Sequence, residues 1–169
     1  HLFMVTRIAN HLAKDIFGGD LHDTALLRIM EYASLHDAPE LLMGDLPSPL
    51  KRHIEAISGA ADPVREIERQ IAPWLEEMRE EIRGRNPEHL VAVKLADLID
   101  AILFIEHEGI GPHARAVCAG LLEIFGRKIE EACGRYPQYR WSMAGVLLDT
   151  LRQNTAAGQI AFERVEKRG

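Results

Sequence analysis

Apolar residues recur at helical spacing through almost all of the 169 residues, and no stretch between turn signals alternates with the two-residue period of a strand. Only an all-α fold buries side chains arranged in that way. Val5, Ile8, Leu12 and Ile16 share one face of a first helix, which stops at Gly18-Gly19. A second helix is expected from about Asp23 to His36, with Leu26, Ile29 and Ala33 turned inward. Pro39 disfavours αR geometry at Ala38, so that helix closes near His36-Asp37, and a short turn from Glu40 to Met43 then runs to Gly44. Asp45-Leu46-Pro47-Ser48-Pro49 reads as a rigid loop, because its prolines fix φ and remove donors. Asp62-Pro63 and Asn86-Pro87 each join a capping side chain to a first-turn proline. The helix opened by Asp62 is expected to continue to Gly84 with a kink at Pro73. The one opened by Asn86 is the most apolar of the chain, from Leu90 through Ala96, Leu98, Ile99, Ile102 and Phe104 to about Gly109. An apolar stripe that wide predicts a central, buried helix. Helices over about 113 to 133 and 142 to 165 complete an expected single domain spanning residues 1–169.

Charge excludes some partners. Twenty Lys and Arg against 26 Asp and Glu leave a formal charge of -6, so the broad basic field that holds a nucleic-acid backbone is missing and no nucleic-acid partner is expected. An anionic ligand must be met by a local cation. Cys118 and Cys133 are too few for a disulfide framework. No apolar run reaches the roughly 20 residues that span a bilayer. A cytoplasmic protein without membrane contact is expected. The first residue is His1 rather than Met, and residues upstream of it are expected to be missing.

Chemistry concentrates at three places. His36 and Asp37 are neighbours, and neighbours on a regular helix point about 100° apart, so they reach one ion only where the helix ends. An imidazole nitrogen and a carboxylate oxygen make a mixed pair suited to Mn, Fe, Co, Ni or Zn. Asp97 lies within Ala96-Asp97-Leu98-Ile99, in the middle of the most apolar helix, where an ionised carboxylate needs a cation, donors or a metal. Asp100, one turn further on, reads as more peripheral. His1 stands at the start of the first helix and approaches from another side. The plainer readings are a helix cap for His36-Asp37, a salt bridge from Lys94 to Asp97, and a surface residue for His1. His53 and His89 lie between the His-Asp pair and Asp97, but one ion is preferred over two.

The order His1, His36-Asp37, Asp97 resembles that of the HD-domain metal-dependent phosphohydrolases. The string from His36 to Lys51, His-Asp-Ala-Pro-Glu-Leu-Leu-Met-Gly-Asp-Leu-Pro-Ser-Pro-Leu-Lys, is similar to the bacterial 5′-deoxynucleotidase branch, with its pattern HD-x-x-E-x-x-x-G-D-x-P-x-P-x-K. Lys94-Leu95-Ala96-Asp97 resembles that branch's K-x-A-D segment. The resemblance covers roughly residues 1 to 110. It implies an HD-domain bundle of about six to eight helices, with His1, His36, Asp37 and Asp97 holding one divalent transition metal (Mn, Co, Fe, Ni or Zn). It implies Glu40 as the acid/base beside a metal-activated water, Asp45 near the sugar, and Lys94 beside the metal site. Lys51, Arg52 and Lys94 are further candidates for phosphate contact. The expected activity is removal of phosphate from (deoxy)nucleoside 5′-monophosphates. The alternatives are a deoxynucleoside triphosphate or alarmone hydrolase, or a nucleotide-binding HD module without catalysis. A homodimer is expected; the apolar stripes of the last two helices read first as packing, with a homodimer surface as the alternative.

Overall fold

The computed structural model describes residues 1–44, 46, 48–59 and 62–153, with the side chains of Ser48, Pro49 and Arg52 outside that description. Helix α1 (Leu2–Phe17) buries Val5, Ile8, Leu12 and Ile16, the stripe its spacing predicts. It ends at Gly18, whose φ of 57° and ψ of -130° suit a residue without Cβ and turn the chain into a 3-10 turn, Gly18–Asp20. Helix α2 (Asp23–Leu35) follows, burying Ile29, Tyr32 and Ala33, and stops at His36. A four-residue helix, α3 (Glu40–Met43), is closed by Gly44 at φ 76°. Helices α4 (Ser48–Ser58), α5 (Pro63–Ile71), α6 (Pro73–Arg85), α7 (Pro87–Glu108) and α8 (Gly111–Arg135) come next. Residues 143–153 are again helical.

The central position of α7 follows from its composition. Ala92, Val93, Leu95, Ala96, Leu98, Ile99 and Ile102 are all buried, and the helix packs against α1, α2, α6 and α8. Complete burial of a side chain the size of Leu95 or Ile99 contributes about 1.5–3 kcal/mol. The segment after α8 folds back over α1. There Trp141, 1% exposed, meets the Phe17 ring edge-on at 5.7 Å and donates its indole N–H to the Tyr136 carbonyl at 2.9 Å. Among the described residues no strand forms, and no helix is long and apolar enough to cross a membrane.

Several boundaries differ from the sequence reading. The helix expected over 62–84 is two helices, because Ala72, held out of αR geometry by Pro73, sits at φ -131° and ψ 66°. Ser48 and Pro49 belong to the first turn of α4 rather than to a loop, since a first-turn proline forfeits no intrahelical bond. Asp62 caps α5 by accepting from the Arg65 N–H at 3.1 Å. Asn86 does not cap α7 in that way; its amide instead lies 3.4 Å from the Glu88 carboxylate. The last helix was expected over 142–165, of which the part beyond 153 lies outside the described residues.

Candidate metal centre

The packing of α1, α2 and α7 decides which side chains meet. Because α1 lies against both other helices, its first residue arrives beside the C-terminus of α2 and the middle of α7. His1 Nε2 is 3.0 Å from Asp37 Oδ2 and 3.4 Å from Asp97 Oδ1. His36 Nε2 is 3.3 Å from Asp37 Oδ1 and 3.9 Å from Asp97 Oδ1. One donor atom each from His1, His36 and Asp97 lies within 4.8 Å of the others, and this is the one such group among the described residues. The four residues matched to metal ligands, His1, His36, Asp37 and Asp97, thus lie together, and neither His53 nor His89 belongs to the group.

Hydrogen bonds fix how the imidazoles face. His36 Nδ1 is 2.9 Å from the Ala33 carbonyl, which only accepts, so Nδ1 carries the proton. Its Nε2 lone pair then faces Asp37 and Asp97, and that atom is buried with no hydrogen bond of its own. His1 repeats the arrangement, with Nδ1 2.7 Å from Asp100 Oδ2 and Nε2 aimed at the same two carboxylates. Two lone pairs and two carboxylates pointing at one place repel one another unless a cation lies between them. The donor set therefore fits a single divalent transition ion, with two formal negative charges against its two positive ones.

The same carboxylates also favour a positive charge on His36, so a proton competes with a metal ion for the place between them. Burial works to raise the Asp97 carboxyl, but the neighbouring His36 and the Lys94 ammonium overcome it and hold it at about 2. Lys94 Nζ takes Asp97 Oδ2 at 2.6 Å, so the salt bridge read from the sequence forms on one oxygen while Oδ1 faces the histidines. Asp37 is pushed up by burial and by repulsion from Asp97, against the pull of His36. Burial opposes a charge on His36, yet attraction from Asp97 and Asp37 wins and raises it.

The other expected residues divide. Glu40 opens α3 and its Oε1 lies 3.5 Å from Lys51 Nζ. Asp45 and the side chain of Arg52 lie outside the described residues. Asp100 is not peripheral: its side chain is 15% exposed, less than the 20% of Asp97, and its Oδ2 lies 2.7 Å from His1 Nδ1. A cavity of about 310 Å³ opens beside the cluster, lined by His36, Asp37, Asp97 and Lys94 together with Tyr32, Glu68 and Arg79. Sequence reasoning passed over the last three. For Arg79 a signal existed, since it shares the inward face of α6 with Leu75 and Ile82.

A bundle of helices gathering a lone histidine, a His-Asp pair and a distant aspartate defines the HD-domain class. Residues 1–108 match the model of the YfbR-like 5′-deoxynucleotidases. The chain is 28% identical over 120 residues to a dATP triphosphohydrolase of Acinetobacter phage SH-Ab 15497, covering 69% of this chain and 57% of the relative. It is 32% identical over 104 residues to a dATP triphosphohydrolase of Cyanophage S-2L, covering 60% and 54% respectively. A solved structure of the Cyanophage S-2L HD phosphohydrolase DatZ, bound to dA and one catalytic Zn2+ ion, superimposes with a TM-score of 0.60 at 26% identity, covering 77% of this chain and 69% of that one. The chain thus spans a little over half the length of the curated relatives it matches. It belongs to the YfbR-like 5′-deoxynucleotidase family.

Proposed function

We propose that the chain is a metal-dependent phosphohydrolase that removes the 5′-phosphate of a deoxynucleoside monophosphate. The observation that carries this reading is the convergence of two imidazole lone pairs and two aspartates beside one cavity. The family description and the zinc and dA held by the structural neighbour support it. His1, His36, Asp37 and Asp97 are the residues that hold the ion. A bound dication supplies charge against the phosphate and lowers the pKa of water from 15.7 to about 7. Glu40 exchanges a proton with the attacking water or the leaving 5′-oxygen, and the Lys51 ammonium orients its carboxylate. Lys94 offers a second cation to the phosphate at the cavity wall. Asp45 takes the sugar end. The chain acts as a cytoplasmic homodimer, which gel filtration with light scattering tests.

The names of the curated relatives favour a second reading, hydrolysis of a deoxynucleoside triphosphate at the same phosphorus. One experiment addresses both. Protein loaded with Mn, Co, Ni, Zn or Mg is offered mono- and triphosphates, and the released product is identified. Inorganic phosphate marks the monophosphatase, and inorganic triphosphate the alternative. Asp37→Ala is expected to abolish release; unchanged release in that variant sinks the mechanism.

A further inference from the structure

Arg79 stands where a cation is costly. It falls on the stripe of α6 whose neighbours Leu75, Met78 and Ile82 are buried against the core. Its Nε is buried and has no hydrogen-bond partner. The carboxylates around it are otherwise placed. Glu76 is bound by Arg65 at 2.5 Å, and although Glu68 lines the same wall, no ion pair to Arg79 forms among the described residues. A planar fork of donors left without a carboxylate, on the wall of a cavity that ends at the His-Asp cluster, is a group built for an anion that arrives from outside.

The charges of the cavity point the same way. Asp37, Asp97 and Glu68 oppose Lys94 and Arg79, leaving one net negative charge, which a dication turns into one net positive charge. Without Arg79 the metal-loaded cavity is neutral and has no net attraction for a phosphate. Lys94 is engaged by Asp97, and Lys51 by Glu40, so the guanidinium is the cation of this wall that makes no ion pair among the described residues.

Resting on the phosphohydrolase reading, we infer that Arg79 is a substrate-binding residue that grips phosphate oxygens of the nucleotide in the cavity it shares with His36, Asp37 and Asp97. Arg79→Met keeps the stem and removes the fork, and Arg79→Lys keeps the charge alone. The experiment measures KM, kcat and inhibition by inorganic phosphate for both variants, and titrates inorganic phosphate calorimetrically into the metal-loaded proteins. Loss of a charge-assisted hydrogen bond predicts that Arg79→Met raises KM and weakens phosphate binding together, by roughly 10- to 100-fold, with kcat and metal content changing far less. Arg79→Lys is expected to recover part of both. Phosphate affinity unchanged in Arg79→Met overturns the inference, including the case in which only the melting temperature falls. Should Arg79→Met fail to fold, Arg79→Lys decides: phosphate affinity equal to that of the unaltered protein overturns the proposal, and a raised KM together with weakened phosphate binding upholds it. Absence of any nucleotide hydrolysis by the unaltered protein defeats the phosphohydrolase reading instead, and the phosphate titration still judges Arg79.

Discussion

Asp100 gives His1 a direction. By accepting the Nδ1 proton at 2.7 Å it leaves Nε2 facing Asp37 and Asp97, and so helps hold an imidazole that is 42% exposed. Asp100→Ala is expected to weaken metal affinity about 10- to 100-fold, and Asp100→Asn, whose amide oxygen still accepts, by less. Competition titration with a chromogenic chelator measures both. The role was hidden at the level of spacing because its partner comes from another helix, 99 positions away, and an i,i+3 offset from Asp97 says nothing of what approaches from α1. Asp97 was legible for the opposite reason: a carboxylate flanked by Ala96, Leu98 and Ile99 announces its need for a partner within its own segment. Arg79 carries the same signal in α6. Reading 62–84 as one continuous helix puts the stripes of α5 and α6 in a single phase and obscures it.

Local chain breaks carry the site as much as the helices do. Gly44 closes α3 at φ 76° and ψ 156°, a region open essentially to glycine alone. Gly44→Ala costs about 1–3 kcal/mol at that turn, and a four-residue helix relieves it by shifting. The expected outcome is a fall of roughly tenfold or more in kcat through displacement of Glu40, with metal content intact. Steady-state kinetics beside elemental analysis checks it. The ends of α1, α2, α3 and α7 were readable because Gly18, Pro39, Gly44 and Gly109 punctuate them. The start of α4 was not, since prolines suited to a first turn are the same residues that mark a loop.

At the scale of the molecule, the core couples acid sensitivity to the junction of α1 and α7. His89 is 8% exposed and lies edge-on to Phe17 at 4.9 Å, and burial pushes its imidazole below the usual 6.5. The unfolded chain therefore binds a proton here at a pH where the folded one does not. This contribution to stability is complete above about pH 6.5 and is lost as the pH falls from there towards the lowered folded-state value. His89→Gln is expected to flatten the denaturation midpoint between pH 7 and pH 5, as urea titrations at a series of pH values show.

The donor atoms of the cluster belong to segments that nothing covalent joins except the long chain between them. An ion seated there works as a reversible crosslink, tying the start of α1 to the end of α2 and the waist of α7. A free concentration one hundred times the dissociation constant contributes about 2.7 kcal/mol to folding, so a chelator becomes a mild denaturant and the melting temperature climbs with the logarithm of free metal. Hydrogen exchange locates the effect: amides in the first turn of α1, the ones most prone to fray, exchange more slowly once the ion is in place.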